Sequence, residues 1–259
     1  MWNDVSYKPL IDDMTWSYSR INCYEQCGYK WFCKYILGMK EDERFYTSYG
    51  SFMHKLIEGY YRGELTKEEM KIKFLFDFST EVQGARPSEK VVQNYINKGI
   101  EYISAFEPFP FNMIDVELEV KYHINGIPFI GYIDYLGEKN GEYYIVDNKS
   151  RELKPRSRRK KPTKKDEELD NMLVQLYLYA AAVKEIYGKY PKALCFNCFK
   201  NGVFIEEPFV EEKYNEAIEW AISSIKHITE TEDFSPNVEY FGCVHLCGLT
   251  DGCEYWNNQ

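Results

Sequence analysis

The chain has 259 residues, 44% hydrophobic and 28% charged, which provides for a sizeable core and excludes wholesale disorder. Its net charge of −9 excludes a protein that coats nucleic acid through general positive charge. No apolar run approaches the ~18 residues a membrane span needs. The segment Met1 to Asp13, with Asp4, Lys8, Asp12 and Asp13, has no signal-type apolar run, so a cytoplasmic protein is expected. Aromatic residues reach 17%, with 23 Tyr and 16 Phe, enough to fill a core and leave surface for base stacking.

In chain order, a helix is expected over 17–37, capped by Thr15 or Ser17, and a second over 48–61, ending near Gly63. Two more are expected over 67–80 and 88–106, after which Pro108 and Pro110 break the chain. Beyond Asn112 the period becomes two: Val116, Leu118, Val120 and Tyr122 alternate with Glu117, Glu119, Lys121 and His123. Asn125-Gly126 and Asn140-Gly141 are hairpin signals separating this strand from strands over 127–136 and 142–150. A basic stretch follows, with Lys154, Arg156, Arg158, Arg159, Lys160, Lys161, Lys164 and Lys165. Next come a helix over 166–187, strands over 193–200 and 203–209 joined at Asn201-Gly202, and a helix over 211–231. From Phe234 the tail is irregular and Cys-rich. This layout predicts an α/β domain, a central mixed sheet of about five strands flanked by helices. Its parts are a helical region (14–110), the sheet with its crossover helix (111–210) and the last helix with the Cys-rich segment (211–259).

The turns fix a register. With Asn140-Gly141 as a two-residue turn, Asp134 faces Asp147; with Asn125-Gly126 likewise, Glu117 faces Asp134. Alternation then puts Glu117, Glu119, Asp134, Asp147 and Lys149 on one face of three strands. Like charges so placed repel unless a cation neutralises them, and magnesium or manganese does so while also binding phosphate. Acids with one lysine suit phosphodiester hydrolysis: metal, activated water, and a cation near the developing charge.

At these residues the sequence resembles the PD-(D/E)XK nuclease superfamily, in its RecB-like form. Gly131-Tyr-Ile-Asp134 and Asp147-Asn-Lys149 are similar to its G-x-x-D and D-x-K elements. The resemblance implies that Asp134 and Asp147 hold metal with the Asn148 backbone carbonyl, that Lys149 positions or activates water, and that Glu117, or else Glu119, is the preceding-strand acid. Gly50 to His54 resembles the G-x-x-x-H element, which implies His54 as a ligand, with Glu58 one turn on. Gln175 to Tyr179 resembles the Q-x-x-x-Y element, implying that both approach the active site and the DNA phosphates. The adjoining basic loop is expected to contact DNA through Arg156, Arg158, Arg159, Lys160 and Lys161.

Eight cysteines in a chain of this kind suggest metal binding more than disulfides. Cys243-x3-Cys247-x5-Cys253 suits a thiolate-ligated centre. Three ligands need a fourth. The resemblance offers Cys27, although Gly28 stands where the family's S-x-S…C-P element has proline. It implies the iron–sulfur branch, as in AddB and the CRISPR-adaptation nucleases, with Cys27, Cys243, Cys247 and Cys253 binding a [4Fe–4S] cluster that staples the chain ends. On one helix Cys23 shares a face with Cys27 and is an alternative ligand. Cys33, Cys195 and Cys198 read as small buried apolar residues, and the last two, three apart on a strand, point to opposite faces. Zinc is the rival to the cluster.

The expected function is a Mg²⁺- or Mn²⁺-dependent DNA nuclease, an exonuclease or end-processing enzyme. No G-x-x-x-x-G-K-[ST] motif accompanies it. Partners would be single-stranded or end-containing DNA and a protein of recombination, repair (including phage systems) or CRISPR adaptation. A non-catalytic DNA-binding or assembly protein on the same fold and an RNA-directed nuclease are the alternatives.

Overall fold

The structure, a computed structural model, describes residues 6–257; Met1 to Val5 of the leading segment and the last two residues lie outside them. Among the described residues no helix is long and apolar enough to cross a membrane.

A short helix, α1 (Lys8–Asp12), opens the chain, followed by α2 (Tyr18–Gln26) and α3 (Gly28–Tyr35). These two replace the single helix expected over 17–37. Ser17 caps α2, accepting the Arg20 N–H at 3.1 Å. The break falls at Cys27, which is extended (φ −165°, ψ 108°), and its Sγ accepts the Lys30 N–H at 3.4 Å at the start of α3. Gly28 permits the turn because the tail crosses here: a Cβ at 28 would stand 2.9 Å from Ser235 O.

Helices α4 (Phe45–Tyr61), α5 (Lys67–Glu81) and α6 (Glu89–Ala105) form a second helical group. Thr66 closes a capping box with Glu69 at the start of α5. The three helices share a core of Phe45, Tyr49, Phe52, Met70, Phe74 and Tyr95 with their neighbours.

Strands β1 (Asn112–Ile124), β2 (Ile127–Lys139), β3 (Glu142–Lys149), β4 (Ala193–Cys198) and β5 (Val203–Pro208) lie side by side in that order. All pairs are antiparallel except β3–β4, which α7 (Lys164–Tyr187) connects as a parallel crossover. The first two Asn-Gly turns hold as read: Asn125 and Asn140 take φ +51° and +56°, and Gly126 and Gly141 also have positive φ. The sheet and α7 share the largest core, which α8 (Glu211–Thr231) extends through Ala217, Ala221, Ile225 and Ile228. The opposite face carries Phe109, Phe111, Tyr135, Tyr144, Val146 and Cys195.

The tail makes one turn of π-helix (Gly242–Leu246), a 3₁₀ turn (Thr250–Gly252) and α9 (Glu254–Asn257). It is tied back to the N-terminal half by Arg44, whose Nε donates to Cys247 O at 2.8 Å, and by the Asp42 N–H on Gly248 O at 2.9 Å.

Candidate active site

The expected register is present. Tyr135↔Val146 and Leu136↔Ile145 place Asp134 and Asp147 next in line on β2–β3, and Val116↔Tyr135 with Leu118↔Ile133 set Glu117 across from Asp134. The β2–β3 ladder stops at Tyr135↔Val146, just short of the two aspartates.

Strict alternation fails at this point. Phe129 and Ile133 belong to the α7-side core, yet Tyr135 joins the opposite face and Leu136 returns to the α7 side. On β1, Val120 and Tyr122 face α7 while Val116 does not. Both strands therefore slip by one position, at Asp134 and at Glu117. Glu117 takes a left-handed φ of +49°, a strain on the order of 1–3 kcal/mol for a non-glycine residue. The slip corrects the sequence reading of Glu119. That side chain turns outward, accepts from Tyr132 Oη at 2.8 Å and pairs with Lys121 at 2.9 Å, away from the acid group.

Where β2 leaves β3, side chains take over the vacated backbone groups of Asn148. Its N–H donates to Asp134 Oδ2 at 2.6 Å, and its carbonyl lies 2.9 Å from His54 Nε2. His54 reaches in from α4 with Nδ1 3.5 Å from Asp134 Oδ2 and 3.7 Å from Glu117 Oε1. His54, Glu117 and Asp134 each offer a ligand atom within 4.8 Å of the others. Asp147 stands outside that trio, against Lys149: Nζ lies 2.7 Å from Asp147 Oδ2. The ammonium is the ion-pair partner of this buried oxygen. Lys149 Nζ donates to Gln175 Oε1 at 2.9 Å, and Gln175 Nε2 donates to Tyr179 Oη at 3.0 Å. Gly131 makes room for that tyrosine: a Cβ there would stand 2.6 Å from Tyr179 Cε1.

The electrostatics follow from burial of several acids together. Burial pushes the Asp134 carboxyl up, the Asp147 charge pushes it further, and His54 opposes both, leaving it at about 7. Burial alone would lower the His54 pKa; the Asp134 charge, the Glu117 contact and the Asp147 charge reverse this and raise it to about 9. The site thus holds more negative charge than its own cations balance. An imidazole, several carboxylates and a backbone carbonyl fit a hard divalent cation.

Other expected residues fall elsewhere. Glu58 pairs with Arg62 at 2.8 Å. Arg156 donates to Asp170 at 2.6 Å and to Glu207 at 2.7 Å, so its guanidinium is engaged within the protein. Arg158, Arg159, Lys160 and Lys161 are exposed. Asp166 closes their loop, accepting from the Ser157 N–H at 2.6 Å and the Thr163 N–H at 2.6 Å.

Five cysteines, Cys27, Cys33, Cys243, Cys247 and Cys253, line one cavity of about 310 Å³. Cys23 is instead buried in the sheet core, because the break after α2 separates its direction from that of Cys27. Cys33 is buried but on the cavity, which its expected distance around a single helix had hidden. Cys195 and Cys198 point to opposite faces of the sheet, into separate cores.

Three side chains were missed by sequence reasoning. Asn197 Nδ2 donates to Asn148 Oδ1 at 2.7 Å and to Tyr102 Oη at 2.7 Å. Tyr18 is raised to about 12 by burial and then by the Asp147 charge, which places it near that carboxylate. Only its position between Ser17 and Ser19 of the S-x-S element could have pointed to it.

Sheet order, helix placement and the acid–lysine set define an α/β core of the nuclease kind. The sequence gives the family: the chain belongs to the PD-(D/E)XK nuclease superfamily, whose model matches residues 15–257. In fold it is similar to the crystal structure of a candidate exonuclease from Eubacterium rectale, at 14% identity and TM-score 0.54, covering 96% of this chain and 91% of that one. The crystal structure of SSO0001 aligns at 15% identity and TM-score 0.32, covering 88% of this chain and 94% of that one. No curated protein matches the sequence.

Proposed function

We propose that the chain is a divalent-metal-dependent DNA nuclease acting on strand ends, with His54, Glu117, Asp134, Asp147 and the Asn148 carbonyl around Mg²⁺ or Mn²⁺. The observation that carries this reading is the acid group where the β2–β3 ladder ends, with ligand atoms of His54, Glu117 and Asp134 within 4.8 Å of one another and the Asp147–Lys149 pair beside them. When bound, such a cation polarises the phosphate and lowers the pKa of water. The protein's own part is positional. Gln175 and Asp147 hold the Lys149 ammonium at the edge of the site, where it orients the attacking water and meets charge developing on the phosphate. Tyr179 steadies Gln175. The loop closed by Asp166 presents Arg158, Arg159, Lys160 and Lys161 to the phosphate backbone.

The Cys-lined cavity supports the iron–sulfur, RecB-like branch. Among the described residues no three of its sulfurs come within 4.8 Å of one another. A tetrahedral zinc with Zn–S near 2.3 Å would hold its sulfurs about 3.8 Å apart. Thiolates spaced around a cavity of about 310 Å³ suit a cluster, each sulfur on its own iron. Cys27, Cys243, Cys247 and Cys253 are its ligands in this reading, and the site joins the N- and C-terminal segments. Recombination, repair or CRISPR-adaptation proteins, in the cytoplasm, are the partners this branch suggests.

The test is cleavage of end-labelled single- and double-stranded DNA with Mg²⁺ or Mn²⁺. Shortening of labelled ends that requires metal supports the reading, and tight DNA binding without cleavage under any metal overturns it.

A further inference from the structure

We infer that Asn197 is a positioning residue for the metal site, acting through Asn148. The inference rests on the proposed nuclease reading and names a part of the site that the motifs do not contain.

Asn148 lies at the end of β3, beyond the last rung shared with β2. Its N–H and C=O, which a neighbouring strand would ordinarily engage, serve the Asp134 carboxylate and the His54 ring instead. A shift of this one residue's backbone therefore moves two site side chains together. What holds this backbone is the Asn148 side chain. Asn148 is 4% exposed, and its Oδ1 accepts from Asn197 Nδ2 at 2.7 Å. Asn197 stands directly across on β4, an interior strand paired on both sides, and is 5% exposed. The same Nδ2 donates to Tyr102 Oη on α6 at 2.7 Å, so both amide protons are used. The chain Tyr102–Asn197–Asn148 thus fastens the free end of β3 to the rigid middle of the sheet. Buried amides are retained where their hydrogen bonds fix geometry, since apolar residues of like volume fill a core as well. Partners that orient a ligand in this way commonly matter by about 10–100-fold in metal affinity or activity.

The experiment compares Asn197→Leu, Asn148→Ala, the double variant and Tyr102→Phe in the full-length protein. Mn²⁺ affinity is read from the EPR signal of free Mn²⁺, folding from thermal unfolding, and kcat and KM from DNA cleavage. The expected result for folded Asn197→Leu is about 10–100-fold weaker Mn²⁺ binding and a similar loss in kcat, with KM unchanged. The double variant should be no worse than Asn148→Ala, because one residue acts through the other. Should Asn197→Leu fail to fold, Tyr102→Phe with Asn148→Ala supplies the same cycle, with a several-fold effect expected. Wild-type Mn²⁺ affinity in folded Asn197→Leu, or independent additive losses, would overturn the inference. Absence of cleavage by the wild type would instead count against the nuclease reading, while the Mn²⁺ measurement still decides this one.

Discussion

Gly131→Ala tests how the sheet seats the lysine. In an ordinary strand this change is mildly stabilising, because alanine loses less backbone entropy than glycine. Here the new Cβ would stand 2.6 Å from Tyr179 Cε1 and 3.1 Å from Cδ1. Carbon atoms in good contact lie about 3.5–4.0 Å apart, so the ring must retreat by about 1 Å. Tyr179 is 7% exposed and sits in the packed α7-side core, which leaves it little room. Overpacking of this kind costs about 1–3 kcal/mol, or about 2–4 °C in Tm for each kcal/mol in a chain of this size. The same retreat withdraws Tyr179 Oη from Gln175, and Gln175 from Lys149. Misplacement by about 1 Å near a reacting centre can cost about 100-fold in rate. The assay is a double-mutant cycle with Tyr179→Ala, following Tm and cleavage rate. Gly131→Ala should be costly alone and nearly neutral in the Tyr179→Ala background. Equal costs in both backgrounds, or a stabilised single variant, would refute the packing argument.

Four further outcomes are expected. Both raised groups bind more protons in the folded than the unfolded chain, so stability of the metal-free protein should fall as pH rises. The Asp134 cost is absent below its unfolded value of 3.8 and complete above about 7. The His54 contribution is full below 6.5 and lost through about 9, so Tm should decline from pH 6 to pH 9 while Mn²⁺ affinity climbs with proton release. Calorimetry in two buffers of different ionisation enthalpy checks both signs, and rising metal-free Tm would contradict them. Changing Arg158, Arg159, Lys160 and Lys161 to Ala together should flatten the log–log salt dependence of DNA affinity by about 3 with Tm unchanged. Arg156→Ala should lower Tm and leave that slope alone, since its partners are Asp170 and Glu207. Anaerobically purified protein should be brown, with iron and sulfide lost in Cys27→Ser and kept in Cys195→Ser; colourless protein carrying one zinc would remove the cluster.

Much of the sheet was legible because its hairpins announce themselves. Asn-Gly turns fix strand register locally, and so the pairing of Glu117, Asp134 and Asp147 could be counted off before any coordinates. The slip at Glu117 and Asp134 could not. It depends on a left-handed φ that glutamate rarely adopts and that only tertiary packing sustains, which is why Glu119 was misplaced. The break at Cys27 was hidden for a related reason. Its helical pattern runs through Gly28, and the chain turns there only because a segment more than 200 residues later, at Phe234 and Ser235, lies against it. Arg156 belonged to a basic run by sequence, yet its partners are far along the chain at Asp170 and Glu207. Asn197 carried no motif; its place became visible only when β4 lay beside β3.

The most direct test is an anomalous difference map from crystals soaked in Mn²⁺. The account predicts a single strong peak between Asp134, Asp147 and the Asn148 carbonyl, within reach of His54 and Glu117. Crystals showing strong peaks elsewhere and none between those groups, at saturating Mn²⁺, would contradict it.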